Sequence, residues 1–161
     1  QQNIHMLSSI TDRPSLSIFG DGQVIVHYPV YMKKAGDYEM WLDDAELVNL
    51  IRALSSDGIM DFDEKKVKEK VQSYKKTLKA KGQFYEISDA VETIVDIYLD
   101  EFQKNKASKK MKNFHKKFKW KNIEHDAARF KHDIDIIKAN NSIENLNVLM
   151  KDERLLKRQK Q

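Results

Sequence analysis

The chain has 161 residues, 40 % of them hydrophobic and 9 % aromatic, which is enough for one domain with a packed core and excludes a globally disordered chain. Cysteine is absent, so disulfides, thiolate metal sites and cysteine nucleophiles are excluded. The charged fraction of 34 % predicts a heavily charged surface, and the net +4 is unevenly spread: residues 1–64 hold eleven acids against Arg13, Lys33, Lys34 and Arg52, a formal −7 that leaves +11 for the rest.

No apolar run approaches the roughly 18 residues of a membrane span; the best, Val24-Ile25-Val26, stops at His27. The chain opens on Gln1-Gln2 rather than Met, which reads as a processed end and supports export, to the periplasm or beyond. Residues 1–12 are expected to fray.

The first third reads as β. Leu16 and Ile18 alternate with serines, Gly20-Asp21-Gly22 marks a turn, and Val24, Val26 and Tyr28 alternate with Ile25 and His27. Register selects the loop. A two-residue loop pairs Ile18 with Ile25 and mixes the faces. A three-residue Gly20-Asp21-Gly22 loop pairs Ile18 with Val24 and Leu16 with Val26, keeping one face apolar, with a glycine as the left-handed residue. Pro29 stops the second strand, and a third runs from Tyr38 to Leu42.

Asp43 and Glu46 have capping-box spacing. They open a helix over 44–57 with a Leu47, Leu50, Ile51, Leu54 stripe and Gly58 beyond its end. A second helix runs from an Asp63 cap through Val67, Val71, Tyr74 and Leu78 to Gly82, its other faces lysine-rich and therefore on the surface. Strands follow at Phe84–Ile87 and Thr93–Phe102. In the latter Ile94, Asp96, Tyr98 and Asp100 alternate with Val95, Ile97 and Leu99; a 3.6-residue period also fits, and β-branched density favours the strand. Trp120, Ile123, Ala127, Phe130, Ile134 and Ile137 step by 3 and 4, predicting one helix of about 20 residues that ends at Asn140-Asn141. Asn141 and Glu144 predict a cap for a last helix through Leu146, Leu149, Met150 and Leu156, with 157–161 frayed.

The basic excess peaks over 104–121, with nine lysines, Phe114, Phe118 and Trp120, and no acid. This segment reads in two ways. Lys109, Lys110, Lys112, Lys116, Lys117 and Lys119 could neutralise an anionic polymer while the aromatics stack on it. Alternatively it is a solvated segment whose aromatics belong to the core. On one helix Phe118 would lie opposite Ile123, so a break or a strand should precede Trp120, and 103–119 is read as a mobile basic connector. Arginine, the usual bidentate phosphate ligand, is absent from the run.

His125 and His132 flank acids, but seven residues of helix separate them by about 10.5 Å of rise, too far for one ion with bonds near 2 Å. The acidic stretch 57–64 has its glycine in second place, which does not fit a calcium loop; helix termination before an Asp63 cap explains it. No nucleophile elbow, phosphate loop or dinucleotide fingerprint occurs, so no catalytic residue, cofactor or metal is assigned. Tyr28, Tyr31 and Met32, around Pro29, have the composition of a partner-binding surface; the competing reading is that Tyr28 and Val30 cover the sheet edge.

Ser17-Ile18-Phe19-Gly20-Asp21-Gly22-Gln23-Val24, then Gly36-Asp37-Tyr38-Glu39, the Asp43–Leu54 helix and Ser88-Asp89-Ala90-Val91-Glu92-Thr93 together resemble small exported bacterial domains of unknown function. In those, a Gly-Asp-Gly β-hairpin is followed by strand, helix and a turn into a long strand. The resemblance covers residues 13–102. It implies an α+β fold and bacterial export and transfers no catalytic residue.

The expected architecture is a single α+β domain over 1–161. Its antiparallel sheet combines the N-terminal hairpin, the Tyr38 strand and the 84–102 strands, packed by the 44–57 helix and a C-terminal helical pair. The expected function is a non-catalytic interaction domain of an exported bacterial protein, bound to a protein partner. The alternatives are an anionic-polymer binder, for nucleic acid or polysaccharide, through 104–121, and an enzyme whose site sequence does not reveal.

Overall fold

In the computed structural model the described residues are 3–8, 15–56, 58–83 and 92–159, with 3–8 described by backbone alone. Seven strands, β1 (Asn3–Ser8), β2 (Ser15–Phe19), β3 (Gln23–Tyr28), β4 (Gly36–Trp41), β5 (Glu92–Phe102), β6 (Met111–Lys121) and β7 (Leu156–Lys157), form one antiparallel sheet in the order β6-β5-β1-β2-β3-β4-β7. Four helices, α1 (Asp44–Ser56), α2 (Glu64–Ala80), α3 (Ile123–Arg129) and α4 (Ile134–Leu149), complete an α+β fold.

The β2–β3 hairpin pairs Leu16 with Val26 and Ile18 with Val24, as the three-residue loop requires. Gly22 closes that loop at φ 93°, its N–H donating to Phe19 O at 2.9 Å and its carbonyl accepting from Leu42 N at 2.8 Å. β4 pairs with β3, and at Asp43 the chain turns into α1 through a complete capping box: Glu46 N–H donates to Asp43 Oδ1 at 2.8 Å, and Asp43 N–H donates to Glu46 Oε1 at 3.2 Å. Asp63 caps α2 by accepting from Lys66 N at 3.0 Å. The acidic stretch before it is a single 3₁₀ turn, Ile59–Asp61, followed by that cap.

α1 and α2 carry the chain from the β4 side of the sheet to β5, and α3 and α4 carry it back from β6 to β7. One apolar core receives both crossings. Leu16, Ile18, Val24, Val26, Val95, Ile97, Leu99, Phe118 and Trp120 come from the inward sheet face, Leu47, Leu54, Val67, Val71, Ile136, Ile143 and Leu146 from the helices. Phe62, between α1 and α2, packs on Phe118 at 4.7 Å and on Trp120 at 5.9 Å.

Several expectations are corrected. Asn3–Ser8, read as frayed, is a central strand whose Ile4 is level with Ile18 and Ile97, and Met6 with Leu16 and Val95. The single helix over Trp120–Ile137 is three elements, because Trp120 belongs to β6 and Asp133 breaks the stripe. Asp133 Oδ1 accepts from Asp135 N and Ile136 N at 3.1 and 3.3 Å and starts α4 anew. Asn140 and Asn141 lie inside α4 rather than ending it; the Ile136, Ala139, Ile143, Leu146 stripe, buried throughout, outweighs their low helix propensity. The chain leaves α4 at Met150, and Leu156–Lys157 pair with β4 instead of extending a helix. Lys157 and Arg158 are held rather than frayed, with Arg158 N–H donating to Asp37 O at 2.8 Å. Strand β5 forms over the residues read as strand, whereas Phe84–Ile87 lies outside the described residues.

A basic edge strand and an open sheet face

The segment 103–119, read as a connector, is a hairpin turn and most of an edge strand. Gln103 Nε2 donates to Ser108 O at 2.9 Å, and Asn105 Oδ1 accepts from Ala107 N at 3.0 Å and from Ser108 Oγ at 2.9 Å, closing the turn with side chains. β6 then pairs with β5 from Phe102↔Met111 to Glu92↔Lys121. Phe114, Phe118 and Trp120 point inward at the strand period, which is why the aromatics of the lysine run belong to the core.

Pairing divides the six candidate lysines. Lys117 and Lys119, together with Lys121, alternate along the open face. Lys112 and Lys116 have the opposite parity, and Lys116 is half-buried. Lys109 and Lys110 lie in the turn. Lys110 pairs with Glu101 at 3.4 Å, and Lys104 with Asp61 at 2.5 Å. Among the described residues no carboxylate lies within ion-pair distance of Lys109, Lys112, Lys116, Lys117, Lys119 or Lys121. Three lysines of α2 are paired, Lys68 with Glu64 at 3.4 Å among them. Lys70 contacts Asp133 and Asp135 at 3.1 and 2.9 Å, and Lys75 contacts Asp126 at 3.5 Å.

Lysines on an edge strand oppose pairing with another chain. α2 reinforces this, since Glu64 Oε1 accepts from Lys119 N at 2.6 Å, and Lys68 Nζ sits 5.7 Å from the Trp120 ring centroid.

Beside these lysines, Tyr98 and His115 stack as a cross-strand pair at 3.9 Å with 10° between their planes. His115 Nε2 lies 2.5 Å from Asp96 Oδ1, which holds the imidazole in that plane. The β5 alternation contains the signal for this site, since it already puts Asp96 and Tyr98 on one face. Adding His115 needed the β5–β6 register.

The proposed partner-binding residues separate. Tyr28 donates from its hydroxyl to Met150 O at 3.0 Å and packs edge-on against Tyr38 at 5.7 Å, so it ties β3 to the C-terminal segment. Met32 is half-buried within a double turn, with Met32 N donating to Pro29 O and Ala35 N to Met32 O. Tyr31 is 66 % exposed and Val30 94 %. Val30 thus lies at the tip of the turn and covers no sheet edge.

Among the described residues two carboxylates are buried, Asp126 and Asp133, and each has side-chain partners. Asp126 Oδ2 accepts from Trp120 Nε1 at 2.8 Å with Lys75 alongside. Asp133 accepts from Tyr74 Oη at 2.9 Å as well as from Lys70 and the α4 N–H groups. Burial pushes the Asp133 carboxyl up, but hydrogen bonds from Lys70, Tyr74 and Ile136 N more than offset it and hold the group below the usual carboxylate range. Donors so fully committed give a structural network, not a poised acid–base pair. His132 packs edge-on against Tyr74 at 4.6 Å. No group of three metal-binding side chains occurs among the described residues.

A cavity of about 440 Å³ opens between α3, α4 and the start of β5, lined by Thr93, His125, Asn140, Ile143, Glu144 and Asn147. Sequence reasoning did not bring these residues together, because they converge only when α3 folds back on α4. His125 Nε2 is buried without a hydrogen-bond partner among the described residues. Asn140 Nδ2 donates to Glu144 Oε1 at 3.2 Å. No helix among the described residues is long and apolar enough to cross a membrane.

Comparisons with protein-family models, with curated proteins and with solved structures find no match for this chain.

Proposed function

We propose that this domain binds a linear polyanion along β6 and the adjoining open face. The carrying observation is the set of lysines on β6 and its turn that have no carboxylate partner among the described residues, whereas Lys68, Lys70 and Lys75 of α2 do. Unpaired cations on a held strand can exchange counterions for polymer charges without first breaking an ion pair. Successive open-face lysines stand about 6.8 Å apart by strand geometry, which makes a linear array. Export in a bacterial setting is supported by the resemblance at residues 13–102.

The test compares two variants of equal net charge. Lys117→Gln/Lys119→Gln should elute from heparin and from DNA at clearly lower salt than the parent. Lys33→Gln/Lys34→Gln, in the β3–β4 turn four strands away across the sheet, should elute almost with the parent. Equal losses from the two variants would mean that net charge alone drives retention, and would overturn the assignment.

A second reading, a protein-interaction domain, is favoured by Val30 and Tyr31 at the tip of the β3–β4 turn. Loss of a captured partner on Tyr31→Ser, with polymer retention unchanged, would support it.

A further inference from the structure

We infer that the cavity between α3, α4 and the start of β5 binds a small aliphatic diamine or polyamine. Glu124 and Glu144 take its ammonium groups, and its carbon chain lies on the apolar floor. This goes beyond the polyanion reading and shares no residue with it.

Both helices build the site. Asn140, Ile143, Glu144 and Asn147 recur at i, i+3, i+4 and i+7, so α4 carries them on one face. Asn122 takes φ 57° between β6 and α3, and the turn brings Ile123 and Glu124 to the other side of the cavity. Ile123 and Ile143 are buried and make the floor apolar, while Glu124, Glu144 and Asn147 are exposed at the rim. Asn140 is only 9 % exposed, and its Nδ2 is committed to Glu144 Oε1 at 3.2 Å. Its Oδ1 holds no hydrogen bond among the described residues and is not sealed off, so a buried side chain leaves an acceptor open on the cavity wall.

The lining sets the class of ligand. Among the described residues it includes no lysine or arginine, and neither Glu124 nor Glu144 is in an ion pair. Acceptors therefore dominate, which repels anions and favours a ligand that brings N–H groups and positive charge. Carboxylates on two separate helices match a ligand with two ammonium groups, and the Ile123–Ile143 floor matches the methylenes between them. A volume of about 440 Å³ is in the range of small-molecule sites. The Asn140–Glu144 hydrogen bond already holds one carboxylate in place, so binding orders few side chains. No group of three metal-binding side chains occurs among the described residues, which disfavours a divalent metal as the occupant.

The test is a titration of the full chain with diaminobutane, spermidine and butanediol, followed by amide NMR spectra. Both amines should shift the side-chain amides of Asn140 and Asn147 and leave β3 and β4 unmoved. Butanediol, equal in length but uncharged, should shift nothing. Glu124→Gln and Glu144→Gln should each weaken diaminobutane roughly ten-fold, as expected for a lost hydrogen bond between charged groups. Glu153→Gln makes the same charge change at an exposed position in the C-terminal segment and should leave the affinity unchanged. Asn147→Lys, at the exposed rim, tethers an ammonium in the cavity and should abolish binding in a chain whose urea midpoint is unchanged. Equal losses in Glu153→Gln and Glu144→Gln would mean diffuse charge attraction and overturn the site. Tighter binding of calcium at the same residues would give the cavity to a metal ion, and tighter binding of N-acetyl-lysine methylamide would give it to a partner's lysine side chain; either overturns the diamine inference. Absence of any shift in α3 and α4 overturns it too. None of these outcomes touches the β6 lysines, so heparin retention tests the polyanion reading separately.

Discussion

The Glu64 carboxylate accepts the backbone N–H of Lys119 at 2.6 Å, so the first turn of α2 caps the open edge of β6. An edge strand otherwise offers its N–H and C=O groups to any extended chain. Glu64→Ala should therefore self-associate with rising concentration, read by light scattering, while Glu64→Gln, which keeps an acceptor, should stay close to the parent. Association in neither variant would mean that the lysines alone protect the edge.

The Asp133 network predicts a signed pH dependence. Its carboxyl is held below the ordinary range in the folded protein, so it stabilises the fold above its unfolded value of about 3.9. That contribution is lost as pH falls through the lower folded value. Asparagine still caps a helix, so Asp133→Asn isolates the charge. It should cost about 1–3 kcal/mol at neutral pH in urea unfolding. The gap to the parent should narrow as pH drops below about 4. A gap that is constant from neutral pH down to that range would locate the effect elsewhere.

Tyr74 gives a second readout of the same contact. The hydrogen bond it donates to Asp133, with burial, pushes its phenol above the ordinary range. In Asp133→Asn the acceptor charge is gone, and tyrosinate absorbance should rise at lower pH than in the parent. Identical titration curves would contradict this.

Gly22 has a backbone reason and a packing reason to be glycine. Its φ is 93°, and a Cβ there would meet Leu42 O at 2.1 Å. Gly22→Ala should cost about 2–4 kcal/mol, from left-handed strain plus displacement of the β4–α1 junction. The denaturation midpoint at unchanged slope measures it.

The Asp43–Glu46 capping box supports a similar forecast. Asp43→Ala should lose about 1 kcal/mol. Glu46 stays in place, because Arg154 contacts its carboxylate at 2.9 Å and holds it below the usual range, with help from Asp43 N–H. Loss of Arg154 should release the C-terminal segment, seen as faster amide exchange around Leu155 and Leu156.

The caps at Asp43 and Asp63 and the Gly20–Gly22 loop with its register were legible in the chain, and so was the need for a break or a strand ahead of Trp120. Each is decided by hydrogen bonds or side-chain phase within a few residues. The break at Asp133 was not legible, because the 3-and-4 stepping from Trp120 to Ile137 survives a change from strand to helix to helix. Only the arrival of Lys70 and Tyr74 from α2 makes a buried cap there stable. β1 was missed for a related reason: Ile4 and Met6 become core-level positions only when β5, some ninety residues away, pairs beside them.

By itself the sequence determined the α+β class, the local caps and turns, and where the lysines are concentrated. Tertiary structure alone decided which of those lysines share a face, that their aromatics belong to the core, and that Tyr98 and His115 stack across two strands. Side-chain alternation is a property of one strand, whereas a surface shared by several strands depends on registers set by distant segments.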